Sequence, residues 1–150
     1  MKTYDNITLS GIDASGKKKS YALSDFKGEK VVLYFYPKND TSLCTQEACS
    51  FRDKLSQTSI KTDKRPKIVG VSIDSVDSHR QFHKKEGLNF VLLSDPDRKL
   101  ADAMDVPPMT GGVNTRTTFL LDEDGTIVKK WINVRVDGHA DEVMAAMNRI

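Results

Sequence analysis

Cys44 and Cys49 are the only two cysteines in this 150-residue chain, and they lie five positions apart. A thiol's reactivity depends on where the backbone places it, because the thiolate is the nucleophile. Cys44 follows the stretch Pro37-Lys38-Asn39-Asp40-Thr41-Ser42-Leu43, which leaves an apolar run and opens a helical pattern. It therefore falls at or near a helix N-terminus, where unpaired backbone N–H groups and the positive end of the helix dipole favour thiolate over thiol. From position alone, a reactive thiol and a small buried hydrophobe on the helix's inner stripe are equal readings of Cys44. Along a continuous helix, five residues advance the axis by roughly 7.5 Å and turn it by about 140°, so the two Cα atoms stand roughly 8.7 Å apart. A disulfide needs about 4.4 to 6.8 Å. An intact helix through both cysteines cannot hold that bond.

The elements that must position these thiols are legible on either side. Residues 31–36 are β-branched and aromatic and stop at Pro37, as a strand buried on both faces does. Cys44, Ala48, Phe51 and Leu55 recur at helical spacing, and residues 67–73 form a second β-rich run, so strand, helix and strand predict a parallel crossover. A further helix is expected over 76–86, ending at Gly87, and a short one over 97–104. Residues 117–121 and 126–134 flank Asp122-Glu123-Asp124-Gly125 and read as an antiparallel hairpin, making the sheet mixed. Ala140, Val143, Met144, Met147 and Ile150 mark the apolar stripe of a closing helix, and Gly16 to Lys19 reads as a solvated hairpin turn. No linker or repeat divides the sequence, which predicts one α/β domain spanning 1–150.

Composition narrows the function. Twenty-three Lys and Arg stand against 21 Asp and Glu, a formal charge of +2 that gives no strong field toward nucleic acid or anionic lipid. No stretch approaches a membrane span, and residues 1–10 lack a signal peptide's apolar run, so a cytoplasmic protein is expected. In a reducing compartment, a close cysteine pair is more often catalytic or metal-binding than structural.

The segment from Tyr34 to Asp53, read as Tyr-Phe-Tyr-Pro-Lys-Asn-Asp-Thr-Ser-Leu-Cys-Thr-Gln-Glu-Ala-Cys-Ser-Phe-Arg-Asp, resembles the active-site segment of peroxiredoxins and contains their Pro-x-x-x-Thr-x-x-Cys signature. It is most similar to the peroxiredoxin Q or bacterioferritin comigratory protein branch, where a resolving cysteine can follow after four intervening residues. The similarity continues through Gly70 to Ser75, Leu92 to Asp97, Arg116 to Asp122 and the tail around Trp131. It implies a thioredoxin-like fold with a mixed central sheet flanked by helices. It also implies reduction of hydroperoxides, commonly with thioredoxin or a similar dithiol as electron donor, by a monomer or weak dimer.

The resemblance assigns roles. Cys44 is the peroxidatic thiolate and Cys49 its resolving partner. Thr41 hydrogen-bonds the peroxide or the thiolate, since a hydroxyl both donates and accepts; helix capping is its plainer reading. Arg116 stabilises the thiolate and the departing oxygen, although an arginine at a strand start is ordinarily a surface residue. Pro37 shapes the pocket or simply terminates a strand. No metal or organic cofactor is required. One departure stands out: Ser42-Leu43 replaces the Pro-Gly usual in this branch, and Leu43 is bulkier than glycine and does not adopt positive φ cheaply.

Other constellations read as structural. His79 and His83 are four apart on a helix among Arg80, Gln81, Lys84 and Lys85, which predicts a solvated face. Asp95-Pro96-Asp97 predicts a loop and helix cap. A zinc site lacks further cysteines. The rival functions are a disulfide oxidoreductase, which lacks its usual Cys-x-x-Cys, and a redox-switched binding protein.

Overall fold

The five residues of β3 (Val31–Phe35) are all buried, and they alternate between two cores. Val31, Leu33 and Phe35 join one cluster, while Val32, Tyr34 and the following Tyr36 join the other. Both faces of the sheet are covered, which is why the strand is apolar without a break. The computed structural model describes residues 4–57 and 66–149.

After β3 the chain enters α1 (Ser42–Gln57) and returns in β4 (Lys67–Ser72), which pairs parallel to β3 from Val31↔Lys67 to Phe35↔Val71. β5 (Val91–Ser94) adds parallel to β4, and β6 (Thr117–Leu121) runs antiparallel along the other side of β3. Hairpins complete the edges: β1 (Leu9–Ile12) with β2 (Lys18–Tyr21), and β6 with β7 (Ile127–Ile132). The order is β2-β1-β5-β4-β3-β6-β7, a seven-stranded mixed sheet. The β6–β7 turn closes as its sequence demands. The Asp122 carboxylate accepts the N–H groups of Asp124 and Thr126, and Gly125 takes φ 79.

Phe51 of α1, Phe82 of α2 (Val76–Glu86) and Val143 of α4 (His139–Met147) pack on the Tyr34 face. Leu100 and Ala101 of α3 (Lys99–Ala103) cover the opposite face with Leu23 and Phe26. Ser75 caps α2 by accepting the Ser78 N–H at 3.1 Å, and Gly87 ends it at φ 59, as the sequence predicts. α3 is shorter than expected. Its start is held from the side by the buried Asp95 carboxylate, which accepts the N–H groups of Leu100 and Ala101. β7 stops at Ile132, because Asn133 turns to φ 57. Ile150, expected on the α4 stripe, and Met1–Thr3 lie outside the described residues. Among the described residues, no helix is long and apolar enough to cross a membrane.

Candidate active site

Because β3 and β6 run antiparallel with Phe35 opposite Thr117, the end of one strand lies beside the start of the other. The residue just before β6 is Arg116, and the chain just after β3 leads to Cys44. That register brings together two residues 72 positions apart. Arg116 Nη1 stands 3.2 Å from Cys44 Sγ, and its backbone carbonyl is held by the Val134 N–H. Cys44 is the third residue of α1, one residue before the Thr45 N–H that bonds back to the Thr41 carbonyl. It is 1% exposed. The sulfur thus faces a fixed positive charge at the positive end of a helix, in a nearly water-free setting that strengthens both effects.

The loop from β3 to α1 is built around one buried residue. Between Tyr36 and Cys44 only Asn39 is buried, while Asp40, Thr41, Ser42 and Leu43 are exposed. Tyr36 still pairs with β4 through its N–H to the Val71 carbonyl, and Pro37 then leaves the ladder without a donor to lose. The positive φ of the turn falls on Asp40, at 61°, a residue type that tolerates it. Ser42 and Leu43 are already helical, so the absence of glycine at 43 costs no strain, and the leucine side chain projects outward at 53% exposure. Thr41 donates its hydroxyl to the Lys38 carbonyl at 3.2 Å. Thr41 thus stands one residue before α1 with its hydroxyl turned back onto the loop.

Glu47 escaped the sequence reading. It lies on the stripe of Cys44, Ala48 and Phe51, is 2% exposed, and pairs Oε1 with Arg116 Nη1 at 3.2 Å. Its Oε2 finds no partner among the described residues. Burial outweighs the attraction of Arg116 and raises this carboxyl from 4.5 to about 7. The unfolded chain gives up this proton near 4.5, and the folded chain keeps it until about 7, so the stability it contributes is full below 4.5 and lost as pH rises through that window. The loss is on the order of 3 kcal/mol. Glu47→Gln is expected to remove it, giving a smaller stability difference between pH 5 and 7 than wild type in urea unfolding. Equal differences would mean the carboxyl ionises as in water.

Cys49 points elsewhere. It is half-buried on the seam between α1 and α2, its Sγ 3.6 Å from Glu86 Oε2, and burial raises its thiol above the ordinary value, against the pull of Arg52. Both cysteines are free. One sulfur faces Arg116 and the other faces Glu86, as their rotation about α1 requires.

The solvated histidine face expected on α2 is corrected by the structure: His79 is 0% exposed and His83 6%. They share their side of α2 with Phe82, and the flanking Arg80, Gln81, Lys84 and Lys85 take the remainder. The signal was the pairing of both histidines with Phe82 at helical spacing. His79 Nδ1 lies 3.1 Å from Asn39 Nδ2 and 3.4 Å from the Tyr36 hydroxyl. Asn39 Oδ1 accepts from that hydroxyl at 2.6 Å, its Nδ2 also donates to Ser78 Oγ, and its N–H donates to Asp74. Ser72 completes the group by donating to Asp74 at 2.6 Å, with its Oγ 3.5 Å from His79 Nε2. Burial lowers His79 to about 4, so it is neutral at physiological pH.

A cysteine buried at a helix start beside an arginine, with a second free cysteine one helix turn and a half away, defines a thiol-based redox protein. The chain belongs to the AhpC/TSA family, whose description matches residues 4–130. It is 41% identical over 131 residues to peroxiredoxin Bcp of Bacillus subtilis, covering 83% of this chain and 82% of that protein. It is 36% identical over 140 residues to the chloroplastic peroxiredoxin Q of Sedum lineare, covering 92% and 73%. Among solved structures, a mutant of Xylella fastidiosa PrxQ superposes with a TM-score of 0.85 at 34% identity, covering 98% of this chain and 91% of that one. The Xanthomonas campestris bacterioferritin comigratory protein, studied for alkyl peroxide reduction, gives 0.84 at 36% identity, with 97% and 92% covered. The fold is that of the thioredoxin-like peroxiredoxins, and the activity is that of a thiol-dependent peroxidase of the Bcp and peroxiredoxin Q kind.

Proposed function

We propose that this peroxidase reduces hydrogen peroxide and organic hydroperoxides through Cys44, with Cys49 as the resolving thiol and thioredoxin or a similar cytoplasmic dithiol as reductant. The observation that carries the reading is the 3.2 Å approach of Arg116 Nη1 to the buried Cys44 sulfur at the start of α1. The Cys44 thiolate attacks the terminal oxygen of ROOH, and an S–O bond forms as the O–O bond breaks. The sulfur is oxidised to sulfenic acid, and the leaving alkoxide takes a proton and departs as alcohol, or as water when the substrate is hydrogen peroxide. Arg116 bears on both the attacking and the departing negative charge. The Cys49 thiol then displaces the sulfenic hydroxyl, releasing water and closing the disulfide, and an external dithiol returns both thiols. The protein works as a monomer or weak dimer.

Peroxide consumption coupled to thioredoxin and its reductase tests the cycle. Turnover is expected; turnover with dithiothreitol alone would reassign the reductant, and none with either would overturn the assignment.

Resolution also demands motion. The helix holds the Cα atoms beyond disulfide reach, so the first turns of α1 must unwind. Ala48 and Phe51, 1% and 0% exposed, leave the core with them. Amide hydrogen exchange over residues 45–52 is expected to be faster in the disulfide form than in the dithiol form. Equal protection in both, with the bond verified by mass spectrometry, would show that the helix accommodates the bond intact.

A further inference from the structure

We propose that His79 is a positioning residue for the peroxide reaction, acting through Asn39 to hold the loop on which the Cys44 turn is built. The inference rests on Cys44 being the attacking thiol and adds a residue from a different helix to its support. Asn39 is the single buried point of residues 37–43, and every polar group of its side chain is engaged from below. The partners themselves assign the tautomer. Asn39 Oδ1 accepts from the Tyr36 hydroxyl, so its Nδ2 must donate to Ser78 Oγ and to His79 Nδ1. His79 Nδ1 is then an acceptor, and the ring proton sits on Nε2, toward Ser72.

Asp74 adds a charge-assisted bond to the Asn39 N–H at 2.9 Å. One residue later the chain is at the positive φ of Asp40, and two residues later it reaches Thr41, whose carbonyl accepts the Thr45 N–H in the opening turn of the helix. The other tie of this loop to α2 is the exposed pair of Asp40 with Lys85, which water screens. The anchor that sets the height and direction of the Cys44 turn is therefore the buried one. Without the acceptor on His79, a buried amide N–H is left unpaired and the loop relaxes toward water. Cys44 then shifts relative to Arg116, which stands just before β6 and does not move with it.

Two reactions of Cys44 separate this role from general stability. Oxidation by hydrogen peroxide needs the sulfur placed against Arg116, whereas alkylation by iodoacetamide needs only an accessible thiolate. His79→Leu is expected to slow single-turnover oxidation by about 10- to 100-fold while alkylation does not slow in proportion. His79→Asn, whose amide oxygen can stand where Nδ1 stood, should recover much of the rate, and His79→Gln, which reaches toward the Nε2 position, should recover less. Asn39→Ala should match His79→Leu, and combining the two should add little. Unchanged oxidation in His79→Leu overturns the proposal, as do equal losses in both reactions, no advantage of Asn over Gln, or additive effects in the double variant. If His79→Leu does not fold, Asn39→Ala and the Asn and Gln variants carry the comparison. Failure of wild-type Cys44 to react with peroxide would instead remove the function on which the proposal rests.

Discussion

Cys44→Ser is expected to abolish peroxide consumption completely, while Cys49→Ser loses turnover but still takes up one oxygen atom per chain. The two thiols differ in surroundings, and the proposed order of events rests on that difference. Cys44 is buried against a guanidinium at a helix start. Cys49 sits by the Glu86 carboxylate, and its thiol is raised above the ordinary value, so at neutral pH it stays protonated and a poor nucleophile. In the proposed cycle it becomes competent once unwinding removes it from that seam. Single-turnover mass spectrometry decides the matter: an oxygen adduct in Cys44→Ser and none in Cys49→Ser would reverse the roles.

Arg116→Met should slow the oxidation step by about 10²- to 10³-fold, the usual effect of deleting one donor aimed at developing charge. The same change leaves Glu47 buried without its cation. With a carboxyl already raised to about 7, Glu47 answers by holding its proton, so the fold survives at a modest cost. Arg116→Met combined with Glu47→Gln should therefore regain stability without regaining rate. Stopped-flow oxidation beside urea unfolding makes the comparison. A double variant that recovers the rate would show that Arg116 serves the fold rather than the sulfur.

Much of the positioning frame is readable from local pattern. The five apolar residues of β3, the Ser75 and Gly87 boundaries of α2 and the Asp-Gly turn before β7 each follow from a short stretch of chain. β1 and β5 did not stand out. Each is four residues long, and their pairing makes them strands: β1 with β2 and β5, and β5 with β4. The Cys44–Arg116 contact is a product of strand register, which no spacing along the chain reveals; the family resemblance anticipated it. Glu47, Asn39 and His79 were missed for a common reason. A charged or polar side chain on a helix or loop reads as solvated unless its buried partners are known, and those partners come from α2, β4 and β6.

The opposed burial of Glu47 and the histidines makes folding a proton-exchange reaction. Near pH 5.5 the unfolded chain carries a proton on each imidazole and none on Glu47. On folding, Glu47 gains a proton because its carboxyl is raised, and His79 expels one because burial holds it near 4. Burial lowers His83 and His139 as well, so the balance tips toward release. Acidification below the ordinary imidazole value therefore weakens the fold, and Glu47 acts as the counterweight that delays the collapse. A peroxidase built this way carries in the helix of Cys44 the carboxyl that offsets the acid sensitivity of its buried histidines.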